Sequence, residues 1–161
     1  MSSQDQTTAN QGTGRNDSLA SRRIFETAES LPAISRFVEA LRQAQMDNDL
    51  LMAEWRTLFA PTNEALDAAP NDFWNELMKP ENNERLRAIV ALHIVRGRQT
   101  LADLKTTATV KSLGGEPVEV SVEGPQARFG GARIIRADIA CTNGQIHIID
   151  KLVVREYAYA G

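Results

Sequence analysis

Partway along the chain the spacing of apolar residues changes from helical to alternating, and this restricts the fold more than any other feature of the sequence. Ile34, Phe37, Val38 and Leu41 fall at i, i+3, i+4 and i+7, one helical stripe with Pro32 placed for the first turn. Thr57 to Ala60 (TLFA) read as a short strand, and Thr62 then caps a helix whose Glu64 faces the positive helix end. Asn71 is placed to cap a short segment burying Phe73, Trp74 and Leu77, and Asn82 opens another helix with the stripe Leu86, Ile89, Val90 and His93. Thr100 and Asp103 have the spacing of a capping box. From there the period is two. Gly114-Gly115 suits a tight hairpin, Val118, Val120 and Val122 alternate along one strand face, and Gly124-Pro125 and Gly130-Gly131 divide further strands. Asn143-Gly144 suits a two-residue type I′ turn, in which both central residues need positive φ. Helices first and strands later indicate an α+β fold rather than a parallel α/β sheet.

A chain of 161 residues suits one domain that buries a real core without disulfides or metals. The net charge of -3 and the low aromatic content, 6%, argue against nucleic acid or a phosphate-rich membrane surface as partner. No apolar run is long enough to span a bilayer, so no transmembrane segment is expected. Residues 1–20 are polar and read as a flexible tail, without the apolar centre of an export signal; the domain is expected over 21–157, with a short C-terminal tail at 158–161.

The groups able to do chemistry are few. Cys141 is the single cysteine and lies in a strand-like segment, where a buried, inert thiol is expected. His93 falls on the apolar stripe and reads as a core histidine with its hydrogen bonds satisfied. His147 and Asp150 are three apart on a strand and point to opposite faces, which builds no dyad. Two histidines and one cysteine make no cluster of ligands, so neither a metal nor another cofactor is expected; Asp67, Asp72 and Glu76 read as a solvated face. There is no nucleophile elbow and no phosphate loop. No nucleophile with its base emerges, and no enzymatic activity is expected.

Three blocks carry a resemblance. TLFAPTNEAL (residues 57–66), LHIVRG (92–97) and TNGQIHIID (142–150) resemble, in order and spacing, the signature segments of the fasciclin I (FAS1) domain, with LMKPENNERL and GGEPVEV similar to the segments between them. The resemblance covers roughly residues 22 to 155 and is of the bacterial single-domain type. It implies an α+β wedge or sandwich of two β-sheets packed at an angle, with several helices around one side. Thr62, Asn63, Asn143, Gly144, His147 and Asp150 are then motif residues that serve the fold. Some animal members use a Tyr-His pair in adhesion, and Leu92-His93 stands at that place here, without the tyrosine. An Asp-Ile pair before the hairpin has the same use, and Asp138-Ile139 matches it, although the residues themselves favour a structural role in which Ile139 packs and Asp138 fixes a turn.

Arg96-Gly97-Arg98 lacks the acidic residue of an integrin-binding tripeptide, and Gly97 reads as a turn. Asp138, Ile139, Leu92, His93 and Arg96 are the resulting candidate contacts for a partner. Asp138 is expected near a sheet end; if the adhesive role carries over, Asp138→Ala weakens partner binding and changes stability by no more than about 0.5 kcal/mol. The resemblance implies a non-catalytic adhesion or protein-interaction module, monomeric, with a protein, matrix or surface-glycan partner. It implies a secreted, periplasmic or cell-surface location, with a cytoplasmic one as the alternative. The rival reading is a carrier of a small apolar ligand, which needs a cavity lined by Phe37, Leu41, Ile89 and Ile94.

Overall fold

The computed structural model describes residues 23–46, 55–69 and 72–153. Both expected tails and the cap at Asn71 lie outside the described residues. Among the described residues six helices, α1 to α6, span Ile24–Glu29, Ser35–Gln43, Asn63–Asp67, Phe73–Leu77, Asn83–Leu92 and Leu101–Leu104. Seven strands among them, β1 to β7, span Arg56–Pro61, Ile94–Arg96, Thr109–Lys111, Pro117–Glu123, Gln126–Phe129, Ala132–Cys141 and Gly144–Ile149. Several termini form where local chemistry places them. Pro32 begins a 3₁₀ turn that leads into α2, Thr62 Oγ1 accepts from the Ala65 N–H at 3.1 Å, and Thr100 and Asp103 complete the capping box of α6.

The strands form one sheet in the order β2-β1-β7-β6-β5-β4-β3. All pairs are antiparallel except β1 with β7, which run parallel. The sheet curls until its ends touch: Val95 bridges Ser112, and the Leu113 N–H donates to the Ile94 carbonyl at 2.6 Å. The two sheets implied by the family resemblance are therefore the halves of one continuous ladder, folded toward each other as an α+β wedge.

Strands β1 and β7 are buried along their whole length, because each has a core on both faces. On one side Leu58, Ala60, Ile146 and Ile148 pack under the helices with Phe37, Leu41, Ile89, Val90 and Ile94. On the other, Phe59 and Ile149 face the interior of the curl with Val118, Val120, Ala127 and Phe129. The rings of Phe59 and Phe129 stack with centroids 3.7 Å apart and tie the two halves of the sheet together. The four residues proposed for a ligand cavity are thus side chains of the helical core, where Phe37 lies 5.2 Å from the His93 ring and 6.4 Å from Trp74.

Strand β6 serves both cores. Ala137 packs inside the curl, yet Ile139, two residues on, packs under the helices, which unbroken alternation forbids. The pairing with β7 slips between Ile134 and Arg136 and again between Arg136 and Ile139, and Asp138 takes a left-handed φ of 59°. This bulge turns the strand from one face to the other.

The molecule departs from two sequence expectations. The hairpin between β6 and β7 turns on Thr142-Asn143, since Cys141 pairs with Gly144, and neither central residue has positive φ. Gly144 is instead needed because β1 passes over it: a Cβ there would lie 1.7 Å from the Arg56 carbonyl oxygen. The conformation expected at this hairpin occurs at Gly130-Gly131, with φ of 57° and 88° between the paired Phe129 and Ala132. Along β4 the alternation buries Val118 and Val120, but Val122 is 44% exposed because the strand runs past the end of the core.

Candidate functional site

The bulge in β6 faces residues 97–101, which strap across the end of the curl between β2 and α6. Gly97, at φ 82°, turns the chain out of β2. Thr57, fully buried on β1, donates through Oγ1 to the Gly97 carbonyl at 2.8 Å and accepts from the Gln99 N–H at 2.8 Å. His147 on β7 donates from Nε2 to the Gln99 carbonyl at 2.6 Å, while its Nδ1 accepts from the Asp138 N–H at 3.1 Å. Asp138 Oδ1 accepts from the Leu101 N–H at 3.0 Å and from Gln145 Nε2 at 3.1 Å. The strap is therefore fixed to three strands by a connected set of polar groups, most of them buried.

Both histidines are neutral, with opposite tautomers. His93 donates from Nδ1 to the Ile89 carbonyl at 2.8 Å and accepts at Nε2 from the Val153 N–H at 3.0 Å, so it joins the end of α5 to the segment after β7. Burial pushes its pKa down to about 4, against the opposing effect of the Ile89 carbonyl. Burial likewise lowers the pKa of His147, opposed by the Gln99 carbonyl and the Asp138 charge. Neither ring has a nitrogen left for substrate or metal. Cys141 is buried, and burial raises its thiol pKa. Among the described residues no three His, Cys, Asp or Glu side chains converge as a metal site.

The other motif residues also use their side chains within the fold. Asn63 Oδ1 accepts from the Arg36 N–H at 3.0 Å, and its Nδ2 donates to the Pro32 carbonyl at 3.2 Å. Asn143 Oδ1 accepts from the Ile24 N–H at 2.8 Å and so fixes the start of α1. Asp150 accepts from the Arg133 N–H at 2.8 Å and from its Nε at 3.0 Å; burial pushes the carboxyl up, but Arg133 and, less, Lys151 outweigh it and hold it below the usual range.

The five candidate contacts separate sharply. Leu92 and Ile139 are buried among apolar side chains, in different cores, and His93 is wholly inside. Arg96 and Asp138 are exposed, one at each end of the strap. Sequence reasoning missed two exposed neighbours, Trp55 and Arg98. The Arg98 guanidinium carbon lies 5.5 Å from the centroid of the Trp55 ring, beside the backbone bond from the Gly97 N–H to the Trp55 carbonyl at 2.9 Å. An aromatic residue immediately before β1 and a basic residue after a turn glycine were the available signals, but only strand pairing brings them together.

A curled sheet with helices on one face defines a scaffold of the fasciclin type, and the comparisons agree. The fasciclin domain model matches residues 32–155. Protein sll1483 of Synechocystis sp. is 34% identical over 131 residues, covering 81% of this chain and 72% of that protein. Synechocystis protein sll1735 is 33% identical over 132 residues, covering 81% of this chain and 96% of that one. Human periostin is 29% identical over 137 residues, 78% of this chain but 16% of periostin. A FAS1 domain pair from the insect cell adhesion molecule fasciclin I superposes with a TM-score of 0.75 at 18% identity, over 86% of this chain and 52% of the pair. The chain belongs to the fasciclin domain family.

Proposed function

We propose that this domain is a non-catalytic adhesion or interaction module, acting outside the cytoplasm on a secreted, periplasmic or surface-anchored chain, whose partner is a protein or a surface glycan. The observation that carries the reading is the contrast at the strap. Buried Thr57, Gln145 and His147 hold the segment rigidly, while Arg96 and Asp138 at its ends reach solvent. A rigid scaffold that presents exposed charges is suited to binding, because little ordering entropy is lost when a partner docks. Fasciclin I, from which the superposed domain pair comes, is an insect cell adhesion molecule, and this likeness supports the same use here. Among the described residues no helix is long and apolar enough to cross a membrane.

The test is capture from native envelope extract on the immobilised full chain, compared with Arg96→Ala and Asp138→Asn. The asparagine keeps the Oδ1 acceptor and tolerates the left-handed backbone, so it removes charge without removing the fixing bonds. Specific capture that falls with either variant supports the module. Capture that is unaffected by both places the binding surface away from the strap.

A further inference from the structure

At the corner where β1 begins and β2 ends, two exposed arginines, Arg96 and Arg98, and the buried Arg56 lie beside an exposed tryptophan in a chain of net charge -3. Trp55 is 45% exposed. Arg56 and Arg96 are directly opposite each other across the strand pair, and Arg98 stacks over the Trp55 ring. Four other guanidiniums meet carboxylates: Arg36 meets Asp67, Arg42 meets Glu29, Arg128 meets Glu123 and Arg133 meets Asp150. Among the described residues Arg96 and Arg98 form no such ion pair, and Asp103 reaches Arg98 only through its field. A guanidinium placed over an indole by cation–π attraction keeps N–H groups in solvent, available for bidentate contact with a planar oxyanion. The exposed part of the indole beside it suits the apolar C–H face of a sugar ring.

We infer that the corner formed by Trp55, Arg96 and Arg98 is a binding site for an acidic polysaccharide, with Arg98 taking a uronate carboxylate and Trp55 the adjoining sugar ring. This rests on the module reading above and names the chemistry of its partner. Arg96, on the last residue of β2, provides a second cation for the next acidic unit of the chain. The tryptophan separates this partner from an acidic protein, which the arginines alone would also attract.

The experiment titrates the full chain with polygalacturonate oligosaccharides, with dextran as the neutral control and polyglutamate as the acidic polypeptide. Isothermal titration calorimetry reports binding by every chain, and Trp55 fluorescence reports occupancy in those that keep it, since the other tryptophan, Trp74, is buried. The inference predicts salt-sensitive binding to polygalacturonate and none to dextran. Trp55→Ala and Arg98→Gln each weaken it by roughly tenfold, and Arg98→Lys, which keeps the charge but loses the planar fork, falls between. Unchanged thermal midpoints show that the variants are folded. Equal binding by the variants, or equally tight binding of polyglutamate that survives Trp55→Ala, overturns the inference. If polygalacturonate fails to bind while envelope capture persists, this inference falls and the module reading stands; if both fail, both fall.

Discussion

Asp138 shows at the level of one residue how contact and support are combined. Its carboxylate is exposed, yet Oδ1 holds the Leu101 N–H and Gln145, and its backbone is left-handed. The expectation that Asp138→Ala is almost neutral therefore changes. Alanine removes two hydrogen bonds and is strained at this φ, so a loss of about 1 to 3 kcal/mol is expected from urea unfolding, whereas Asp138→Asn stays within about 0.5 kcal/mol. His93 makes a second prediction at this scale. Its folded pKa of about 4 lies below the ordinary 6.5, so the unfolded chain binds the proton more readily. Stability from this residue is present above pH 6.5, declines as pH falls, and is lost by about pH 4. A shift of this size corresponds to about 3 kcal/mol, and His93→Gln should flatten that part of the stability-pH curve, leaving the smaller slope due to His147. An unchanged slope in the variant would show that His93 does not carry it.

At the level of elements, the parallel contact of β1 and β7 decides what is tolerated at the hairpin. Gly144→Ala forces a Cβ into the Arg56 carbonyl, so β7 must move off β1, and a loss exceeding about 3 kcal/mol or failure to fold is expected. Gly131→Ala meets no atom within 4 Å and suffers only from its φ of 88°, so a loss of about 1 to 2 kcal/mol is expected. Thermal midpoints of the two variants, measured side by side, check the order. Much at this scale was legible in sequence. The cap at Thr62, the stripe through His93 and the box at Thr100 depend on neighbours three or four residues away. The turn at Thr142-Asn143 was not legible, because its register is set by Arg56 and Ile24, and the Asn143 side chain is drawn inward to α1. The bulge at Asp138 depends on bonds to residues 37 and 9 positions away, which no local pattern encodes.

The whole molecule separates two kinds of polar residue. Asn63, His93, Asn143 and His147 hold backbone segments far apart in sequence. Arg96, Arg98, Trp55 and Asp138 remain at the surface around one fixed strap. The fold class and the location of the blocks could be read from the chain because period and capping are local. Which of the five candidate residues reach solvent could not be, since that depends on how the sheet curls and where β6 bulges. Amide hydrogen exchange of the full chain, free and with its captured envelope partner, tests the central claim most directly. New protection is expected at Trp55, at residues 96–101 and around Asp138, and not elsewhere. Protection on the outer faces of α1 and α2 instead, with the strap unchanged, would contradict it.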